Sequence, residues 1–259
     1  MHADSEDNMT PAELLDAAQE AWIESGFCTG DFDGAQRIAE AAYAAAVGQE
    51  SRAGEALASQ LLGYILHYRL ITILMAGDEI DPVAVPIEQE HFSHALSLYE
   101  SLDDAVGRAN ALFGLGLVEQ VLRDDWETAM PYYRAAEALL PALESAGDLY
   151  TRSEIHRHLG FYHLVVTKQF ADAVRVLQLS LDLREQDGDA RRLPSGLTAL
   201  AWAERAAGDL ARAVDLLTRA LSVAREVELM PQRIADTESE LREAEAELAA
   251  QQRERHEQQ

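Results

Sequence analysis

Apolar and small side chains recur along this chain at the three- and four-residue spacing of a helix face. His156, Leu159, Gly160 and His163 form one such stripe, Leu112, Leu115, Gly116 and Glu119 a second, and Ser59, Leu62, Gly63 and Leu66 a third. Short breakers separate the periodic stretches, among them Gly30-Asp31, Ala146-Gly147-Asp148, Asp187-Gly188-Asp189 and Gly208-Asp209, and they suit tight turns between helices. The pattern predicts helix, turn, helix, turn along most of the chain.

A phrase repeats at a wider interval: an aromatic or leucine, two residues, then alanine. It occurs as Phe32…Ala35, Phe92…Ala95, Trp126…Ala129, Phe170…Ala173 and Leu210…Ala213. Leu115-Gly116 and Leu159-Gly160 each stand upstream of their aromatic by the same distance, and Ala199-Leu200 holds that place in the last repeat. A repeated phrase marks repeated supersecondary units, each too small to bury its own apolar face.

Leu-Gly in a first helix followed by Gly-Asp-aromatic-x-x-Ala at the start of a second resembles the tetratricopeptide repeat. Gly30-Asp31-Phe32-Asp33-Gly34-Ala35 and Gly208-Asp209-Leu210-Ala211-Arg212-Ala213 carry the resemblance most closely. It implies an all-α fold, a right-handed α–α superhelix (a TPR-like solenoid) of about five helical pairs over residues 11–229. Residues 230–259 then form a capping helix with a frayed tail, and residues 1–10 a flexible N-terminus. The chain departs from the family in three ways. The steps Phe92 to Trp126, Trp126 to Phe170 and Phe170 to Leu210 are 34, 44 and 40 residues, mostly longer than the usual repeat of about 34. The middle units carry one more residue between glycine and aromatic than the family norm, and the closing proline is mostly missing. Elongated repeats of this kind look like those of regulatory tetratricopeptide-like proteins that sense peptides or small effectors.

From Phe32 to Phe92 the rhythm breaks, and the excess falls near residues 76–91. Pro82 and Pro86 argue against a continuous helix there, while Ile80, Val83, Val85 and Ile87 are too apolar for a solvated linker. Two readings stand: a flap over a binding groove, or a loop packed on its own helical pair. Both ends read as helix caps. Thr10-Pro11-Ala12-Glu13 has a hydroxyl cap, proline at the first helical position and glutamate closing a capping box. Pro231 opens the last helix, where Ile234, Leu241 and Leu248 lie on one face.

Composition narrows the function. With 48% hydrophobic and 26% charged residues, the chain is that of a folded protein with ample core. No stretch reads as a bilayer span of about 20 apolar residues. The acidic start at Met1–Thr10 lacks the basic and apolar regions of a secretory signal. A single cysteine, Cys28, agrees with a reducing compartment, so a cytoplasmic protein is expected. Forty-six acidic against 21 basic side chains give a net charge of −25. That balance disfavours nucleic acid and membrane as partners and favours a basic peptide or protein surface. The phosphate loop, dinucleotide fingerprint, nucleophile elbow and paired Cys-x-x-Cys motifs do not occur.

Rotating each first helix by about 100° from its core stripe gives the face that lines the concave surface in this architecture. That operation selects Gln60, Tyr64 and His67, with Tyr68 beside them, in the second unit. It selects Phe113, Leu117 and Gln120 in the third, and Arg157, Phe161 and Leu164 in the fourth. Aromatic groups with a few polar neighbours suit a ligand groove; the alternative is burial by curvature, the insertion or the last helix. The leading expectation is therefore a non-catalytic adaptor that holds a peptide or partner protein, without cofactor or metal. A sensor of a small hydrophobic effector is the second reading. The third is an enzyme in which Glu119 and His163, or His67, move protons, with a plain core hydrogen bond as the alternative for Glu119 and His163.

Overall fold

The structure is a computed structural model that describes residues 9–257. The stretch read as a flexible N-terminus lies mostly outside the described residues, as do the last two residues of the tail. Twelve α-helices and no strand occur among the described residues, so the chain is all-α. They fall into two compact units divided between Gly147 and Asp148.

The first unit holds α1 (Pro11–Glu24), α2 (Phe32–Gly48), α3 (Arg52–Met75), α4 (Ala84–Ser101), α5 (Ala105–Leu117), α6 (Trp126–Glu137) and the short α7 (Leu140–Ala146). The second holds α8 (Leu149–Phe161), α9 (Phe170–Asp187), α10 (Leu193–Ala207), α11 (Leu210–Glu226) and α12 (Pro231–Glu257). Within each unit successive helices pack on one another, from α1 to α6 and from α8 to α12, while α7 packs on α5. This is the helical-repeat arrangement that the recurring phrase predicts.

The phrase marks helix starts. Phe32, Trp126, Phe170 and Leu210 are the first residues of α2, α6, α9 and α11. Asp31, Asp125 and Asp209 cap three of these helices, accepting hydrogen bonds from the Gly34, Thr128 and Arg212 amides, each at 3.0 Å. The capping box at Thr10 and Glu13 forms as expected, with the Thr10 amide donating to Glu13 Oε2 at 2.7 Å.

The extra residue of the longer units has a structural home. α1, α5 and α8 each run into one turn of π-helix, at Ser25–Thr29, Val118–Leu122 and Tyr162–Val166. A π-turn absorbs one additional residue without breaking the helix. α10 has no such turn, and its close-approach residue shifts accordingly. A Cβ on Gly160 would lie 2.6 Å from Leu177 Cγ on α9, and Leu177 follows Phe170 by the interval at which Leu217 follows Leu210. In the last pair it is Ala201 that packs with Ala213 and Leu217. Ala201, rather than Ala199-Leu200, thus takes the glycine's place.

The segment read as an insertion at residues 76–91 is resolved into two parts. Residues 76–83 make the α3–α4 turn and contain Pro82, while α4 already begins at Ala84. Pro86 sits in the first turn of α4, where its missing N–H has no partner to lose. Val85 is buried and Val83 and Ile87 are exposed. The segment is therefore neither a free flap nor a packed loop but a long helix with a short turn before it. α3 itself is long and apolar enough to cross a membrane by length and composition, contrary to the sequence expectation; 56% of its most apolar window is buried in the fold.

α12 packs on α11. Ala244 is fully buried, Leu241 packs on the Ala201–Leu217 cluster, and Arg205 of α10 reaches Glu247 at 2.6 Å. Ile234, Leu241 and Leu248 are each half-buried. In the core of this unit Arg184 forms an ion pair with Glu154 and donates to the Arg192 carbonyl oxygen at 2.6 Å, joining α9 to α8 and to the start of α10.

Candidate functional site

A cleft of about 650 Å³ lies in the first unit between α2, α3 and α4. α3 packs on both α2 and α4 and forms the floor; the other two helices are the walls. Each contributes one face at helical spacing: Gln36, Glu40 and Tyr43 from α2, Leu62, Ile65 and Leu66 from α3, and Ala84, Ile87, His91 and His94 from α4. The volume lies within the range of small-molecule sites, about 300–1,000 Å³.

A polar group stands at one end. Glu55 Oε1 lies 2.9 Å from His94 Nε2. Tyr43 donates its hydroxyl to the same oxygen at 3.3 Å and lies 3.5 Å from His94 Nε2. A His94 ring that gives its Nε2 proton to Glu55 keeps Nδ1 as an acceptor when neutral. Burial, reinforced by the Glu55 charge, raises the Tyr43 phenol above its ordinary value, so it remains a donor at neutral pH.

His91 is fixed through its backbone, whose carbonyl oxygen accepts the Ser59 hydroxyl at 3.0 Å. Burial lowers its imidazole below the ordinary value; Glu90 and Glu40 oppose that shift and His94 adds to it. The ring is therefore neutral at pH 7. Glu40 and Glu90 stand exposed on opposite walls, and neither arginine nor lysine lines the cleft. The cleft thus combines an apolar floor, neutral donors and acceptors, and negative charge at its rim. Among the described residues, no group of three or more His, Cys, Asp and Glu side chains is placed to hold a metal ion.

The residues predicted for a concave groove go elsewhere. Tyr64 stacks on Trp22 at 5.1 Å, meets Phe92 edge-on at 5.0 Å and donates to the Asn110 carbonyl oxygen at 3.1 Å. His67 is buried against Glu88, Nδ1 to Oε1 2.7 Å. Phe113 packs on Tyr133, whose hydroxyl donates to Gln120 at 2.6 Å. Gln60 and Leu117 are buried, and Tyr68 packs between Trp22 and Phe27. In the first unit, then, the rotated face is packing surface. The reason is that α3 is covered by α1 and α5 as well as by α2 and α4.

In the second unit Leu164 joins the core. Arg157 is held by Glu154 at 2.8 Å and lies over the Phe161 ring, 5.3 Å from its centroid. Phe161 in turn packs on Trp202 at 5.9 Å, and Trp202 is 39% exposed. The proposed proton-moving residues are engaged separately. Glu119 pairs with Arg123, and His163 Nδ1 lies 3.1 Å from Gln169 Oε1.

The cleft escapes the rotated-face reading because its walls, α2 and α4, are second helices, and that reading selects residues of first helices alone. Two signals were present: the polar stripe Gln36, Glu40, Tyr43, and the pair His91 and His94 on the next second helix. No protein-family model matches the chain, and no curated protein matches it.

Proposed function

We propose that the chain is a non-catalytic, tetratricopeptide-like binding protein that holds a small amphipathic molecule between α2 and α4, as an effector sensor does. The observation that carries this reading is the cleft itself: about 650 Å³, with an apolar floor and the Tyr43–Glu55–His94 group at one end. The finer architecture is proposed with it, a right-handed stacking of helical pairs within each unit, supported by successive packing and aromatic-led second helices. A reducing, cytoplasmic setting is part of the proposal and rests on the lone Cys28. Nucleic acid and membrane are left out as partners on the strength of the −25 charge.

The test is a thermal-shift screen of small molecules against the native chain and Ala84→Trp, in which the larger ring fills the cleft. A ligand of this site raises the melting temperature of the native protein and leaves the variant unshifted. Ligands that stabilise both equally place binding elsewhere and end the reading.

A second reading has one observation in its favour. The exposed Trp202, packed on Phe161 beneath Arg157, is an aromatic surface of the type that anchors a peptide or partner protein. Trp202→Ala weakening such a partner at least tenfold, with an unchanged melt, supports it; an unchanged affinity removes it.

A further inference from the structure

We infer that the molecule held between α2 and α4 is an organic cation with an apolar body, its charge placed at the rim between Glu40 and Glu90. The inference rests on the cleft being a binding site and adds the chemical class of its occupant.

Three features of the cleft select that class. First, the rim charge is one-sided. Glu40 comes from α2 and Glu90 from α4, and both act electrostatically on His91, so the two carboxylates share one neighbourhood. Among the described residues neither forms an ion pair; Glu40 accepts only from Gln36, at 2.8 Å. Other carboxylates of this unit do find their cations, Asp33 at Arg69 and Glu119 at Arg123. An anion brought here meets two like charges and no arginine or lysine, whereas a cation meets two carboxylates and supplies the missing partner.

Second, the Tyr43 phenol and the His91 imidazole are neutral at physiological pH and place no positive charge of their own against such a guest. The Tyr43 phenol and the His91 imidazole offer hydrogen bonds, and the Tyr43 ring offers a π face to an ammonium or guanidinium group. Third, the floor is greasy. Leu62, Ile65 and Leu66 line it, and Ile87 carries the apolar surface out to the rim, where it is 45% exposed. A bare metal ion would leave this surface wet, while an alkyl or aryl amine covers it.

The experiment uses a matched series on one phenylpropyl body: the primary amine, the alcohol and the carboxylate. Each is titrated into the full-length protein, with binding followed by NMR shifts of Tyr43 and His94. The expected order is amine tightest, at least tenfold over the alcohol, with the carboxylate weakest. In Glu40→Gln/Glu90→Gln, whose exposed sites leave the fold intact, the amine falls to the affinity of the alcohol and the alcohol is unchanged. Equal binding of amine and alcohol by the native protein, abolished for both by Ala84→Trp, overturns the charge class while upholding the cleft. Binding of none of the three, or binding that survives Ala84→Trp, overturns the cleft reading and this inference with it.

Discussion

Glu55 on α3 reaches His94 on α4 at 2.9 Å, and the same carboxylate oxygen accepts the Tyr43 hydroxyl of α2 at 3.3 Å. One side chain thus ties the floor of the cleft to both walls. The Glu55–His94 pair is partly solvated, with side-chain exposures of 22% and 41%, so its worth to stability is small, about 0–1 kcal/mol. Its effect falls on the shape of the site. Glu55→Leu is expected to lower stability in urea by no more than about 1 kcal/mol while reducing ligand affinity severalfold. A large stability loss with unchanged affinity would make the trio a structural tie alone.

His67 and Glu88 behave differently, because both are almost completely buried, at 2% and 0% side-chain exposure. Glu88 Oε2 has no hydrogen-bond partner, so the carboxylate depends on His67 for its compensation. Removing one member leaves a polar or charged group stranded. His67→Ala is expected to cost about 3–5 kcal/mol in equilibrium unfolding, whereas His67→Phe with Glu88→Leu is expected to cost much less. Equal losses for the single and the double variant would contradict this role.

Helices of this fold end on left-handed residues whether or not a π-turn closes them. After two of the π-turns Asp124 and Lys168 adopt left-handed conformations, φ 53° and 55°, where the first and last pairs use Gly30 and Gly208 at 70° and 92°. A side chain pays for that conformation at about 1–2 kcal/mol, offset in part by the greater chain entropy of glycine. Lys168→Gly is expected to stabilise the protein by about 0.5–1 kcal/mol. A loss of stability in chemical denaturation would show that the Lys168 side chain contributes more than its backbone strain costs.

His91 gives the protein a pH-dependent term of known sign. Its imidazole titrates below the ordinary value of 6.5 because burial penalises the charged ring. At pH values above that, folded and unfolded chains both hold it neutral and the contribution to stability is complete. As pH falls through about 6.5 the unfolded chain takes up the proton first, and stability declines until the folded ring also protonates. His91→Gln is expected to flatten this part of the curve. An identical slope in native and variant proteins would contradict the assignment.

How far the sequence led depends on which contacts each residue needed. Phe32, Trp126 and Leu210 announced helix starts because the aspartate caps in front of them are local events, and the Thr10 box is local too. The fate of Tyr64 and Phe113 was set by Trp22 and Tyr133, on other helices, and no periodicity within α3 or α5 reveals how many neighbours will cover it. The cleft is harder still. Tyr43, Glu55 and His94 lie on three helices, and the wall they share with Ala84 and Ile87 depends on α4 starting at Ala84, two turns before Phe92, through a stretch whose prolines argued for a break. Pro86 in a first helical turn is compatible with helix, and that positional subtlety hid one wall of the site.

Native mass spectrometry of the protein taken from its own host, compared with Ala84→Trp prepared in the same way, examines the cleft most directly. The expected result is a bound small molecule on the native chain, released on activation in the gas phase and missing from the variant. A native chain that carries nothing, or a variant that retains the same adduct, would contradict the assignment of the space between α2 and α4 as the binding site.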